Sequence, residues 1–212
     1  MKVYNWGILG TGNIAHKFAR ALMLLANANL YAVGSRDAGR AEKFAGEFGF
    51  SRHFGSYEEM LADPGIDVVY ISSPHTMHME HTLMALRNGK HVICEKPMSI
   101  TAEEVSLMAD EAKRNDLFLM EALWPPFQPS YLKADEILRS GKMGKLLHIR
   151  GKFAFAVPYD PELRTYNLAL GGGALLDIGI YPVMDILRYL GEPENIVATS
   201  VLAPTGADQS TA

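Results

Sequence analysis

The sequence predicts an α/β fold: a doubly wound parallel sheet over residues 1–122, then the start of an α+β domain with a largely antiparallel sheet over residues 123–212. Three observations carry this expectation. β-rich runs alternate with amphipathic helical stretches through the first part, a pattern that builds parallel sheets. A glycine-rich turn, Gly10-Thr11-Gly12, stands between the first run and the first helical stretch. Pro125, Pro126 and Pro129 then break the alternation, because proline lacks the amide hydrogen that helices and sheet interiors need.

In chain order, residues 3–9, 30–35, 68–72, 91–94 and 117–121 read as strands. Between the first two, Ile14, Phe18, Leu22 and Leu25 recur at helical spacing and share a face. A second helix is expected over 38–48, and a third carries Met79, Leu83 and Leu86. A fourth opens at Thr101 with Glu104 three residues on, the capping-box spacing whose side chains satisfy the first helical amides. Beyond the prolines come a helix over 130–140, a strand over 146–157 and a loop over 158–170. Gly171-Gly172-Gly173 opens a helix over 174–190, residues 194–202 read as another strand, and 203–212 as a small, polar tail. Two strands and two helices are too few to close a core, so this second domain reads as part of a longer chain or as completed by another.

Composition narrows the function. Hydrophobic residues make up 48% of the chain, as in an ordinary globular protein. The net charge of −4 offers no basic footprint for nucleic acid. The first strand begins within a few residues of Met1, leaving no space for a signal peptide, and no later apolar run reads as long enough to cross a bilayer. Cys94 is the one cysteine, which excludes an internal disulfide and suits a reducing cytoplasm; its apolar run makes it a buried strand residue.

The glycine-rich turn is the first functional signal. Gly10-Thr11-Gly12-Asn13-Ile14-Ala15 is G-x-G-x-x-A at a strand-to-helix turn. Gly10 permits the tight turn, Gly12 lets main chain approach a pyrophosphate, and Ala15 lets the helix pack on the strand. Thr11, Asn13 and Ile14 then offer main-chain groups at a helix N-terminus, where free amides and the helix dipole favour phosphate. A turn without a ligand is the alternative. At the end of the second strand stand Ser35, Arg36 and, a turn later, Arg40, where NAD-selective sites carry an acid for the ribose. Ser35 can donate to a 2′-phosphate, and Arg36 can pair with it or stack on adenine, which favours NADP(H). A one-residue shift would place Asp37 at the ribose and favour NAD(H), and in the plainest reading Arg36 and Asp37 cap the next helix.

Two groups of residues are candidates for chemistry. Lys96, in Glu95-Lys96-Pro97 after the fifth strand, stands at the carboxyl edge where doubly wound sheets bind ligands and can stabilise a developing oxyanion. Asp177 and Tyr181, four apart, share one helix face. A tyrosine hydroxyl exchanges a proton with a carbinol oxygen once a nearby ammonium lowers its pKa. The alternatives are a solvated loop lysine, an acid at a helix start and a half-buried tyrosine. His75, His78 and His81 recur in steps of three, but such steps drift around a helix and no carboxylate or thiolate completes a metal site. His78 reads instead as a neighbour of the nicotinamide ribose.

Four motifs in order resemble the glucose–fructose oxidoreductase / inositol dehydrogenase / MocA family across essentially the whole chain. They are Gly10-x-Gly12-x-x-Ala15, Ser72-Ser73-Pro74-x-x-x-His78, Glu95-Lys96-Pro97 and Gly171-Gly172-Gly173-x-x-x-Asp177-x-x-x-Tyr181-Pro182. The last is similar to the branch of dihydrodiol and xylose dehydrogenases, with tyrosine where inositol dehydrogenase-like members have histidine. The resemblance implies Lys96 and Tyr181 as the catalytic pair with Asp177 assisting. Ser73, Pro74, His78, Glu95 and Lys96 are expected to contact the cofactor, and the resemblance further implies Glu121 near the nicotinamide and Trp124 near the substrate. Pro126 stands where dihydrodiol-branch members often have arginine. Family members are longer, with an open C-terminal sheet that commonly forms the dimer interface, so a homodimer or higher homo-oligomer is expected. The expected activity is NADP(H)-dependent hydride transfer at a carbinol carbon of a sugar, cyclic polyol or trans-dihydrodiol. A non-catalytic NADP(H) sensor or regulatory protein is the rival.

Overall fold

The structure is a computed structural model that describes residues 2–212. The chain divides into two compact units, Met1–Ala122 and Leu123–Ala212. The first holds β1 (Tyr4–Leu9), α1 (Asn13–Leu22), β2 (Ala28–Gly34), α2 (Ala38–Phe48), β3 (Arg52–Phe54) and α3 (Tyr57–Ala62). It continues with β4 (Val68–Ile71), α4 (His78–Arg87), β5 (His91–Cys94), α5 (Ala102–Arg114) and β6 (Leu119–Glu121). The strands form one parallel sheet in the order β3-β2-β1-β4-β5-β6, so the winding reverses between β1 and β4. Ligands of such sheets bind at the carboxyl ends of the strands beside that reversal.

Residues alternate between the two faces of the sheet, as a two-residue period requires. Leu9, Ala32, Val69 and Ile71 join Leu86, Met108 and Ala112 in one core, while Ile8, Val33 and Tyr70 join Ala15, Ala19, Leu22 and Phe44 in the other. Cys94 is fully buried, and burial pushes its thiol up to about 12, which leaves it unreactive at neutral pH. α1 packs through Ala15, Ala19 and Leu22; Leu25, expected on the same face, lies beyond the helix and is exposed. β3 and α3 are absent from the sequence expectation, each being too short for its periodicity to register. Thr101 caps α5 by accepting from the Glu104 amide at 3.2 Å, but the Glu104 carboxylate turns to Ser99 Oγ and the Ile100 amide instead of completing the capping box.

The second unit holds α6 (Pro129–Arg139), α7 (Ile180–Leu190) and an antiparallel pair, β7 (Ser200–Leu202) and β8 (Asp208–Thr211). α6 and α7 are joined by Arg188 bonding Asp135 and by Tyr131 donating to Asp185 at 3.3 Å. Several expectations need correcting here. Residues 146–157 form no strand, the strand expected over 194–202 shrinks to β7, and the polar tail supplies its partner β8. The helix expected over 174–190 begins as a π turn, Leu175–Gly179, before α7. Leu168–Leu190 is also long and apolar enough to cross a membrane, with a mean hydropathy of 1.4 over its most apolar window, contrary to the sequence expectation. In the fold it is broken at the triple glycine, and its charged residues Asp177, Asp185 and Arg188 bond Arg164, Tyr131 and Asp135 of the same unit.

Candidate active site

The first unit gathers its motif residues along the carboxyl edge of the sheet. Gly10 follows β1 with φ of 100°, where a side chain would meet Ser72 Oγ at 2.9 Å. Gly12 is the N-cap of α1, with no side-chain cap, no acid in the first turn and open space where a Cβ would point. The amides of Asn13, Ile14 and Ala15 thus open an uncapped helix onto free volume flanked by Thr11, an arrangement that fits a pyrophosphate.

At the end of β2, Asp37 is the N-cap of α2. Its Oδ1 accepts from the Arg40 amide at 3.1 Å and its Oδ2 pairs with the Arg40 side chain at 3.6 Å. The acid is therefore committed to the helix. Ser35 is buried, its Oγ accepting from the Asp37 amide at 3.2 Å. Exposed Arg36 lies near Tyr57 at the start of α3; burial raises the Tyr57 hydroxyl and the nearby guanidinium opposes that rise.

The Glu95-Lys96-Pro97 loop follows β5, and three of the residues expected near the cofactor, Glu95, Glu121 and His78, bond its main chain. Glu95 is buried, accepts from Tyr70 Oη and, through Oε2, from the Lys96 amide at 3.2 Å. Burial raises its carboxyl, while the Tyr70 bond works in the opposite direction. Glu121 accepts from the Met98 amide at 2.7 Å, and burial raises its carboxyl too. His78 has no exposed surface; its Nδ1 lies 2.8 Å from Pro97 O and its Nε2 2.9 Å from Ser73 O. Both ring nitrogens therefore face main-chain carbonyls. Ser73 Oγ bonds His81 Nδ1 at 2.9 Å, so the turn carrying Pro74 is tied to α4 as well. Burial lowers the His81 imidazole. Among the described residues no group of three or more His, Cys, Asp or Glu could hold a metal.

In the second unit Asp177 is buried on the π turn, and Arg164 donates to its Oδ1 at 2.9 Å. The triple glycine is sterically required. A Cβ on Gly172 would meet Asn167 O at 2.8 Å, and Gly173, with φ of 132°, leaves no room for one against the Asp208 carboxylate. Asp208 accepts from the Leu175 amide at 2.8 Å, bonding a free amide at the start of the π turn. Asp177 and Asp208 line a cleft of about 70 Å³ with Phe155, Val157, Tyr166 and Thr165, whose hydroxyl lacks a partner among the described residues. Tyr181 is half-buried at the start of α7, its ring 5.4 Å from that of Phe153. Trp124 stands exposed at the unit's beginning.

Sequence reasoning missed Tyr57, Tyr70, Arg164 and Asp208. Tyr57 and Tyr70 belong to a short helix and a strand interior with no motif around them. Arg164 and Asp208 come from segments read as loop and tail.

Comparison with known proteins agrees with this geometry. Residues 4–123 match the family model described as an oxidoreductase family with an NAD-binding Rossmann fold, and residues 131–212 match the GFO/IDH/MocA C-terminal domain. Trans-1,2-dihydrobenzene-1,2-diol dehydrogenases of Mus musculus and Danio rerio are 39% and 40% identical over 209 residues, covering 97% of this chain and 62% of theirs. A levoglucosan dehydrogenase in complex with NADH and L-sorbose superposes with a TM-score of 0.88 at 29% identity, covering 100% of this chain and 62% of that one. A 3-ketoreductase from Actinomadura kijaniata, in complex with NADP and TDP-benzene, gives 0.79 at 29%, covering 90% and 58%. The chain thus spans about three fifths of the length of the relatives it matches. With both halves matched and the glycine turn, the lysine loop and the tyrosine helix all in place, the chain belongs to the GFO/IDH/MocA family of oxidoreductases.

Proposed function

We propose that this chain serves an NADP(H)-dependent oxidoreductase that interconverts a carbinol and a carbonyl on a sugar, cyclic polyol or trans-dihydrodiol. The observation that carries it is the lysine loop: five polar side chains or main-chain groups fix Lys96 at the sheet edge, beside an uncapped helix N-terminus shaped for a dinucleotide. A bound nicotinamide supplies the hydride acceptor or donor. Tyr181 takes up or returns the proton of the carbinol oxygen. Lys96, as an ammonium, stabilises negative charge that develops on a substrate oxygen. Asp177, paired with Arg164, accepts from a neighbouring substrate hydroxyl, and the Thr165 hydroxyl in the same cleft suits a polyhydroxylated ligand.

The preference for NADP(H) rests on Asp37 being spent on α2, which leaves Ser35, Arg36 and Arg40 for a 2′-phosphate. Relatives with NADH and with NADP are both known, so NAD(H) is the alternative cofactor. Homo-oligomerisation through the sheet of the second unit, where Val201 and Leu202 stand exposed on β7, and a cytoplasmic location complete the reading. A panel of sugars, polyols and dihydrodiols with NADP⁺ and NAD⁺ tests it, with sedimentation velocity for the oligomer. Tyr181→Phe should remove most turnover and keep cofactor affinity; full turnover in that variant would sink the assignment.

A further inference from the structure

His78 opens α4 with no surface exposed, and its ring lies between two main-chain carbonyls from different loops. Nδ1 is 2.8 Å from Pro97 O and Nε2 is 2.9 Å from Ser73 O. A carbonyl oxygen can only accept. A neutral imidazole has one N–H and one lone pair, so in either tautomer one of these contacts would set lone pair against lone pair. That contact is repulsive and the ring would withdraw or turn, whereas both separations are those of formed hydrogen bonds. Only the doubly protonated ring donates to both.

The surroundings divide. Burial and the amide end of α4 oppose a cation, as do His75, whose ring is 5.6 Å away, His81 a turn along α4, and Lys96 on the loop. Glu95 and Glu121, which bond the Lys96 and Met98 amides of that loop, favour it. Two charge-assisted bonds to carbonyls decide the balance for the cation. We infer that His78 is a positioning residue, held as the imidazolium, that ties the Ser73-Pro74 turn to the loop carrying Lys96. Its effect on turnover rests on the role proposed above for Lys96; its charge state does not.

Heteronuclear NMR of the full chain with ring-labelled histidine tests the charge state, the His78 signals being assigned by their loss in His78→Gln. At about pH 8, well above the ordinary histidine value of about 6.5, both His78 ring nitrogens should still carry protons. A bare nitrogen at that pH overturns the inference. In the turnover assay His78→Gln, whose one amide nitrogen cannot serve both carbonyls, should lose about tenfold to hundredfold in kcat/KM, the order expected when a catalytic group shifts by an ångström. Unchanged turnover in a His78→Gln protein that melts like the parent overturns the positioning role. Unchanged turnover in Lys96→Met would instead overturn the reading of Lys96 and leave the NMR result standing. Because the NMR measurement uses the unaltered chain, it decides the charge state even if the variant fails to fold.

Discussion

Gly10 and Gly12 lie two residues apart in one turn, yet alanine should fail differently at each. Gly10 has φ of 100°, and a Cβ there would stand 2.9 Å from Ser72 Oγ and 3.3 Å from Ser72 O. A non-glycine residue held in so sparse a region costs about 1–3 kcal/mol. Moving Ser72 aside also breaks its 2.9 Å hydrogen bond to Leu9 O, about 1 kcal/mol more. Gly10→Ala should therefore destabilise the first unit by about 2–4 kcal/mol. At a urea dependence of about 2 kcal/mol/M, the midpoint falls by about 1–2 M.

Gly12 has φ of −77°, which any residue adopts, and a Cβ there meets nothing within 4 Å. Alanine gains about 0.4–1 kcal/mol by stiffening the unfolded chain, and loses a similar amount as a poorer N-cap. The midpoint should stay where it is. The methyl group would, however, fill the volume that phosphate needs against the α1 amides. Losing two charge-assisted hydrogen bonds of about 1.5 kcal/mol each weakens binding about a hundredfold. Urea unfolding and fluorescence titration with NADPH measure the two effects separately. Equal midpoint losses in the two variants, or parental affinity in Gly12→Ala, would refute the division of labour.

Three further outcomes follow from the same geometry. Arg36→Ala should weaken NADP⁺ binding by about tenfold to hundredfold, the value of one or two charge-assisted bonds, and leave NAD⁺ binding within about twofold; equal losses for both cofactors would move the 2′-phosphate site elsewhere. Tyr70→Phe leaves the buried Glu95 carboxylate short of a donor and should cost about 2–3 kcal/mol in urea unfolding, so a neutral result would show that Glu95 is already protonated in the fold. Burial raises the Glu121 carboxyl, so the folded chain holds that proton more tightly than the unfolded one. Its contribution is fully present below the ordinary value of about 4.3 and is lost as pH rises through the raised value. Wild-type stability relative to Glu121→Gln, whose side-chain carbonyl can still accept from Met98, should accordingly fall across that window; a constant difference would refute the assignment.

The first unit was largely legible because its strands are buried on both faces and its helices on one, so periodicity reports each directly. The second was less legible for a physical reason. Residues 146–157 alternate like a strand, but Leu147, Phe153 and Phe155 stand exposed and the segment joins no strand ladder among the described residues. Alternation marks a chain able to join a sheet, and pairing depends on a neighbour that a local pattern does not encode. The opposite error occurred at β8, where Asp208 and Thr211 read as polar tail. Asp208 accepts from the Leu175 amide, a contact with the segment that follows the triple glycine some thirty residues earlier in the chain, and from Thr211 Oγ1 within the strand itself.

At the site, the motifs showed which residues belong together and left unread the main-chain bonds that several of them make. Glu95, Glu121 and His78 are polar residues near a presumed ligand, so sequence alone makes them ligand contacts. The structure adds a second task, because a carboxylate or imidazole withdrawn from water must find partners, and the main-chain groups of the loop beside these residues supply them. Asp37 shows the same rule from the other side: exposed, and expected either at the ribose or as a cap, it is spent on four-residue geometry within α2. Glu95, Glu121 and His78 thus also form a frame around the loop that carries Lys96. Substituting a frame residue should then disturb the placement of Lys96 before it disturbs contact with the dinucleotide, which sets those variants apart from Gly12→Ala and Arg36→Ala.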